Sequence, residues 1–377
     1  MRGYIQKRGN KYSFILDLER DPLTGKRRRK RFSGYTRKKD AEKAMAEAIN
    51  QISKNDFIEP SNQTFEQYAI DWIESKKHNV RETTYTTYKF ILDKHINPAI
   101  GNKKLDEIKA LDLDRLYSQL KEEAYADWTV FKAHTIIKMV FDKAKRYKEI
   151  RENPAEFVDT PSVRKRIMDF WDEEEAKNFF NNEEIMQSRE YIAFLLAFSL
   201  GMRLGEVLAL KFRDVNFVKK TVIVRRLLQR NGMKLIDIVK TDSSNRTLIA
   251  DDFTLGMIKR QKAIVTAEKS KLSGKYKDND LICCTKLGTP INASNLRRVW
   301  HKLIDISGNR IIRFHDLRHT HATLILQQPG ADIKMVSERL GHKDIKITLE
   351  TYYHVLPGKQ EQAVKNFGDF FFKQQEK

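Results

Sequence analysis

The spacing of apolar residues changes period several times along this chain, and each change marks an element. Near the start, Tyr12, Phe14, Leu16 and Leu18 alternate with Ser13, Ile15, Asp17 and Glu19, the period-two pattern of a strand. Asp21-Pro22-Leu23-Thr24-Gly25 is turn chemistry, with Pro presetting φ and Gly accepting φ > 0. Lys26 to Phe32 reads as the returning strand. From Arg37 to about Ile52, Ala41, Ala44, Met45, Ala48 and Ile52 recur at helical spacing, and Thr36 can cap that helix. A small sheet backed by one helix is expected over residues 1–58.

Asn55 to Gln63 is a linker with Pro60, Ser61 and Asn62 as breakers. Thr64-x-x-Gln67 then forms a capping box, followed by the stripe Phe65, Tyr68, Ala69, Trp72 and Ile73. A second helix starts at Thr83 or Thr84, carries Tyr85, Tyr88, Ile91 and Leu92, and ends at Pro98 and Gly101. After a short link at Leu105–Ile108, two more helices run from about Asp112 to Glu123 and from about Asp127 to Lys148. Residues 64–160 are therefore expected to be an all-α domain. Beyond a second linker, Asp159 to Asp169, the capping box Asp172-x-x-Glu175 opens a third domain, residues 168–377. Tyr191 to Leu200 is a wholly apolar helix, Gly201 breaks it, and Arg203-Leu204-Gly205-Glu206 starts another. Val215 to Arg225 and Leu235 to Val239 read as strands around the Asn231-Gly232 turn, with a third at Arg246–Ile249. Asp252–Lys262 and Ser294–Ile304 are helical, and Leu281–Ile282 is a short buried strand. The fold class is multidomain: a small β-sheet-plus-helix N-terminal domain, an all-α domain, and a mixed, mainly-α third domain with a small antiparallel sheet.

Charge narrows the partners. The 377 residues carry 71 Lys and Arg against 51 Asp and Glu, a formal charge of +20. Residues 1–39 alone hold 14 basic and three acidic side chains. A surface this basic repels itself unless a polyanion neutralises it, and nucleic acid is the commonest polyanion. Six consecutive cations, Lys26, Arg27, Arg28, Arg29, Lys30 and Arg31, fall in one expected strand and are candidate DNA-binding residues. The competing reading is a solvated charged hairpin. No apolar run approaches the ~20 residues of a spanning helix, and Met1 to Phe14 has no signal-peptide core. Cys283 and Cys284, the only cysteines, are neighbours and are expected to be reduced thiols in a cytoplasmic protein.

Chemistry concentrates late in the chain. Arg313 to His354 holds five of the nine histidines: His315, His319, His321, His342 and His354. Arg203, in an otherwise apolar stretch, must be paired or must meet a ligand; Glu206 one turn on is the plain pairing partner. Arg318 follows His315 by three residues. Two guanidiniums aimed at one point suit a phosphate, since Arg offers paired donors and keeps its charge. His315 and His319 are also four apart, as in zincin helices, but Asp316 replaces the expected Glu and Arg318 would repel a cation; no metal is expected. A phenol with pKa near ~10 is a poor nucleophile. Tyr352 becomes one only if a base takes its proton and the phosphoryl charge is neutralised. His315 is a candidate base or phosphate donor, and His342 a candidate donor or orienter of the tyrosine. Lys240, before the Thr241–Ser244 loop, is a candidate general acid for a leaving hydroxylate. Without these partners Tyr352-Tyr353 would read as a half-buried aromatic pair.

Arg203 in GMRLGEVLALKFRDV, Lys240 in VKTDSSNRTL, His315 and Arg318 in FHDLRHTHAT, His342 in VSERLGH and Tyr352 in ITLETYYH, in this order, resemble the tyrosine recombinase (phage integrase) family. The match spans about residues 170–355. Residues 1–55 resemble the arm-type DNA-binding domain of integrases from prophages and integrative conjugative elements, and residues 64–160 the family's helical core-binding domain. The resemblance implies that Tyr352, rather than Tyr353, attacks a scissile phosphate to give a 3′-phosphotyrosyl link. It implies that Arg203, Arg318, His315 and His342 stabilise the transition state and that Lys240 protonates the leaving 5′-oxygen. It implies no cofactor, neither ATP nor metal. The implied partners are double-stranded DNA at core and arm attachment sites and three further protomers in a tetramer that exchanges strands through a Holliday junction. The amphipathic tail Gln360 to Phe372, with Ala363, Val364, Phe367, Phe370 and Phe371, is expected to dock on a neighbouring protomer; packing on its own domain is the other option. An accessory directionality factor is compatible with such a system. Two other classes compete with an integrase of a mobile element: a type IB topoisomerase with the same tyrosine chemistry, and a DNA-binding regulator with a silent site.

Overall fold

The computed structural model describes residues 3–18, 28–53, 62–164, 168–229, 234–237, 245–272 and 274–352, with Val364, Phe367, Gly368 and Phe371 beyond them. The chain divides into two compact units, Met1–Lys165 and Arg166–Lys377.

The first unit contains two separate hydrophobic cores. One is built on three antiparallel strands, Gly3–Arg8, Lys11–Leu18 and Arg28–Tyr35, paired in that order. Phe14 and Leu16 point from the middle strand onto the helix Lys38–Ser53 and meet Ala44, Met45 and Ala48. Alternation in the middle strand thus works as its sequence suggests. The first strand is an addition to the expected pair. Its residues are mostly exposed, so it carries little of the apolar alternation that marks a strand. Pairing in register divides the basic strand between two faces. Arg29 and Arg31 lie opposite Asp17 and Ile15 on the open face, whereas Lys30 lies opposite Leu16 on the helix side. Arg29 Nε donates to Asp17 at 2.7 Å and Arg31 to Gln6 at 2.6 Å. Lys26 and Arg27 lie outside the described residues, and of Arg28 only the backbone is described.

The second core is helical. Thr64 and Gln67 form the expected reciprocal capping box at the head of Phe65–Lys76, and Phe65, Tyr68, Ala69, Trp72 and Ile73 are all buried. The next helix, Glu82–Ile91, does not end at Pro98. It widens through a π turn, Leu92–Ile96, and resumes as Asn97–Ile100 with Pro98 in the first turn. Pro98, which has no N–H to donate, sits where the hydrogen-bond ladder changes from π to α spacing. Helices Ala110–Glu122 and Asp127–Arg146 complete the bundle around Ile136, Ile137, Val140 and Phe141.

The second unit is mainly helical and packs around Tyr191–Leu200. That helix is apolar on all sides because neighbours cover all sides: it touches Asp252–Lys271 and Asp316–Leu326. Phe194 of that helix joins an aromatic cluster with Trp171, Phe179, Trp300 and Phe314, the rings tilted against one another. Two small antiparallel sheets flank this core. Val215–Asn216, Thr221–Val224 and Arg246–Ile249 form one, and Arg226–Gln229 with Lys234–Asp237 the other. The single strand expected over Val215–Arg225 is thus broken. Asn216 Oδ1 accepts from the N–H groups of Val218 and Lys219, and Lys220 takes φ +51°, which turns the chain back. Leu281 makes one isolated bridge to Lys211 rather than a strand. The helix expected to end at Lys262 runs on to Lys271. Cys283 and Cys284 are both buried and unbonded to each other. No helix among the described residues is long and apolar enough to cross a membrane.

Candidate active site

Two helix ends build the floor of the site. Tyr191–Leu200 terminates at Gly201, which adopts φ +63°, and Ile333–Leu340 terminates at Gly341 with φ +66°. Left-handed glycine caps leave the last carbonyls of each helix pointing outward, at the negative end of the helix dipole. Arg318 fills this cradle. Its two terminal nitrogens donate to Gly201 O and Leu340 O, each at 2.6 Å. Arg203, the N-cap residue of the short helix Leu204–Val207, donates to Gly341 O at 3.0 Å and to Glu206 Oε1 at 2.9 Å. The plain pairing of Arg203 with Glu206 is therefore present, and it coexists with the carbonyl anchor.

The two guanidiniums are close enough for Arg203 to lower the pKa of Arg318, although burial contributes more. Arg318 is only 2% exposed and makes no ion pair among the described residues. A buried cation held by dipoles alone leaves a positive potential that favours an incoming anion.

The histidines divide into two kinds. His315 precedes the helix Asp316–Leu326 and is exposed; its pKa is lowered by partial desolvation first and by Arg318 second. His342 follows the Gly341 cap, and its Nδ1 shares a 2.8 Å hydrogen bond with Thr348 Oγ1. Burial, then Arg318 and Arg203, pull His342 down to about 4, so it is neutral at pH 7. His319 and His321 are buried. Burial, with Arg339 adding, pulls His321 down to about 3, and its Nε2 accepts from Arg339 Nε at 3.0 Å. Asp316, which stands where a zincin helix carries Glu, is bound by Arg313 at 2.7 and 3.0 Å.

Tyr352 is the last residue of the helix Ile345–Tyr352 and is 2% exposed, packed with Ala322, Leu326, Val336 and Leu340. Its hydroxyl lies 2.7 Å from His319 Nδ1. Burial raises its pKa above the ordinary phenol value, and Arg318 pulls the other way, which puts the phenol within electrostatic reach of the cradle.

Of the six expected site residues, Arg203, His315, Arg318, His342 and Tyr352 converge on the two helix ends. Lys240 lies outside the described residues, as do Tyr353, His354 and most of the tail. Sequence reading did not anticipate three supporting groups. Arg246 is nearly buried and grips both Glu206 oxygens, at 2.9 and 3.1 Å, so that Glu206 orients Arg203. Glu206 is pushed up by burial, but Arg246 and Arg203 outweigh this and hold it below its ordinary value. Arg339 ties Ser199 O and Ile249 O together. The third group is His319. A cation at the head of the otherwise plain strand Arg246–Ile249 was the available signal for Arg246.

Two carbonyl-anchored arginines, one of them within electrostatic reach of a buried tyrosine, on a mainly helical scaffold, form the arrangement of a tyrosine recombinase. Residues 169–359 match the phage integrase family, and the chain belongs to that family. Residues 64–121 match the phage integrase N-terminal SAM-like domain and residues 4–52 the arm DNA-binding domain. A XerC-like tyrosine recombinase of Caldanaerobacter subterraneus is 29% identical over 98% of each chain. The ICEBs1 integrase of Bacillus subtilis is 25% identical over 95% of this chain and 97% of its own. Among solved structures, the Tn1549 transposon integrase in complex with transposon right end DNA superposes with a TM-score of 0.69 at 20% identity, covering 81% of this chain and all of that one. A lambda integrase tetramer bound to a Holliday junction gives 0.59 at 16%, covering 93% and 94%. These two likenesses carry the fold.

Proposed function

We propose that this protein is a site-specific DNA recombinase that integrates and excises a mobile element. Tyr352 attacks a scissile phosphate; the new P–O bond joins its phenolic oxygen to the DNA 3′ end, and the bond to the 5′-oxygen breaks. Arg203 and Arg318 carry the charge that grows on the non-bridging oxygens, since each guanidinium keeps donors beyond those spent on carbonyls. His315 takes the phenolic proton and then, with His342, donates to the same oxygens, and Lys240 protonates the leaving 5′-oxygen. The phosphoryl bond energy stays in the phosphotyrosyl link, so neither ATP nor a metal is required. A second transesterification by the partner strand's 5′-hydroxyl reverses the chemistry, and two rounds across a tetramer pass through a Holliday junction.

The observation that carries this reading is Arg318: a buried cation, fixed by two helix ends and without an ion-paired carboxylate among the described residues, within electrostatic reach of the Tyr352 hydroxyl. Three domains divide the work in this reading. Residues 1–58 hold arm-type sites through the basic run Lys26–Arg31, residues 64–160 grip the core site, residues 168–377 perform the chemistry, and the tail docks on a neighbouring protomer. Association with both kinds of site neutralises many phosphates, so affinity must fall steeply with salt. The test is incubation with a nicked suicide DNA carrying the element's own attachment site. A covalent protein–DNA band should form, persist in EDTA and vanish in Tyr352→Phe. No band from the wild-type protein, with binding intact, would leave a DNA-binding regulator as the better account.

A further inference from the structure

His319 has no part in the chemistry just described, yet among the described residues it makes the one side-chain hydrogen bond to the Tyr352 hydroxyl. We propose that His319 is a positioning residue: its Nδ1 accepts the phenolic hydrogen bond and fixes where the Tyr352 oxygen stands inside the subunit's own catalytic unit. The inference rests on Tyr352 being the nucleophile, and it concerns how that nucleophile is held.

Both partners are buried, His319 at 8% exposed and Tyr352 at 2%. Their atoms stand 2.7 Å apart, the ordinary distance for a strong O–H···N bond, and the two rings pack with centroids 5.8 Å apart. His319 is itself held rigidly. It belongs to the helix Asp316–Leu326, as the residue directly after Arg318, and its ring meets His315 edge to face with centroids 5.2 Å apart. One helix therefore carries both the cation that receives the phosphate and the acceptor that receives the phenol. Their separation is set by helical geometry rather than by a loop. Tyr352, by contrast, ends a short helix, Ile345–Tyr352, that is otherwise mostly exposed and joins the core through Thr348 and Tyr352. A side chain at the end of such a helix needs a fixed partner if its oxygen is to have a defined position.

The direction of the bond follows from the charges around it. Burial, with His315 adding, pulls His319 down to about 4, so the ring is neutral at pH 7 and has a lone pair to offer. Burial also keeps the phenol protonated. Tyr352 therefore donates and His319 accepts. With the two groups so far apart in basicity, His319 holds the proton's bond without taking the proton. Removal of that proton falls to a group that acts once the phosphate has arrived.

Four variants and two readouts test this. His319→Phe keeps the ring and its packing but deletes the acceptor; His319→Asn places Oδ1 near the position of Nδ1. The first readout is single-turnover covalent adduct formation on suicide DNA at saturating concentration, with DNA affinity measured separately. The adduct rate of His319→Phe should fall about tenfold or more, the worth of one buried hydrogen bond, with affinity unchanged. His319→Asn should recover most of the rate. The second readout needs no catalysis: urea unfolding of His319→Phe, Tyr352→Phe and the double variant. The double variant should lose less than the two singles together, because both delete one bond. Additive losses would overturn the pairing, and equal rates in wild type and His319→Phe would overturn the positioning role. If wild type forms no adduct at all, the recombinase reading fails, and the urea cycle still decides whether the bond exists.

Discussion

Replacing Arg318 by Lys keeps the charge and changes the donor count, so it isolates what the carbonyl cradle does. Arg carries five N–H donors and Lys three. Arg318 spends two on Gly201 O and Leu340 O, at 2.6 Å each. Three remain, in the planar fork that can meet two phosphate oxygens together. A lysine bound to both carbonyls would have one left, and one bound to a single carbonyl would orphan the other. Losing one transition-state donor of this kind costs ~10²–10³ in rate, or about 3–4 kcal/mol. An orphaned buried carbonyl costs a further ~1–3 kcal/mol in stability. Arg318→Lys should therefore remain folded, melt at a lower temperature, and form the covalent adduct at least about a hundredfold more slowly. The assay is a single-turnover time course on suicide DNA at saturating concentration, with affinity determined separately by titration. An adduct rate within threefold of wild type would refute the cradle's role, and so would a loss explained wholly by weaker DNA binding.

Further outcomes follow from the same geometry. In Gly201→Ala, a new Cβ would stand 2.6 Å from His321 Cδ2 at a φ of +63°, so the catalytic unit should lose ~2 kcal/mol or more in denaturant titration, and adduct formation should fall because Gly201 O shifts away from Arg318. In Arg246→Ala, Glu206 keeps only Arg203 in a buried setting; a loss of ~3–5 kcal/mol is expected, and Arg246→Ala with Glu206→Gln should be milder than Arg246→Ala alone. Acid should weaken the catalytic unit. His319 and His342, near 4, and His321, near 3, bind protons less readily folded than at the ordinary histidine value of ~6.5. Between those limits the unfolded chain binds more protons, so stability is full above pH ~6.5 and is lost as pH falls toward 4. The melting temperature should drop between pH 7 and pH 5, and a flat profile would contradict the buried neutral histidines.

Legibility in the sequence followed how local each signal is. The capping boxes at Thr64 and Asp172 place helix starts to the residue, because each is a contact between neighbours in sequence. The wholly apolar run Tyr191–Leu200 marks the core helix for the same reason. The strand Gly3–Arg8 escaped because an exposed edge strand carries little apolar alternation. Pro98 misled because its effect depends on where the π turn ends, a tertiary matter. The site shows the same division. Arg203, His315, Arg318, His342 and Tyr352 are visible as residue types, and their motifs resemble a known family. The cradle that positions the arginines is backbone, and only the glycines at 201 and 341 hint at it. Arg246 and His319 act across 40 and 33 residues of chain, on Glu206 and Tyr352 respectively, and no pattern of spacing reveals such partners.

The most direct test of the central claim is to map the covalent junction. Adduct formed on suicide DNA, digested with nuclease and protease and read by fragment-ion mass spectrometry, should carry its residual nucleotide on Tyr352. A nucleotide found on Tyr353 or any other side chain, or a protein that never acquires one while still binding its site, would contradict the account.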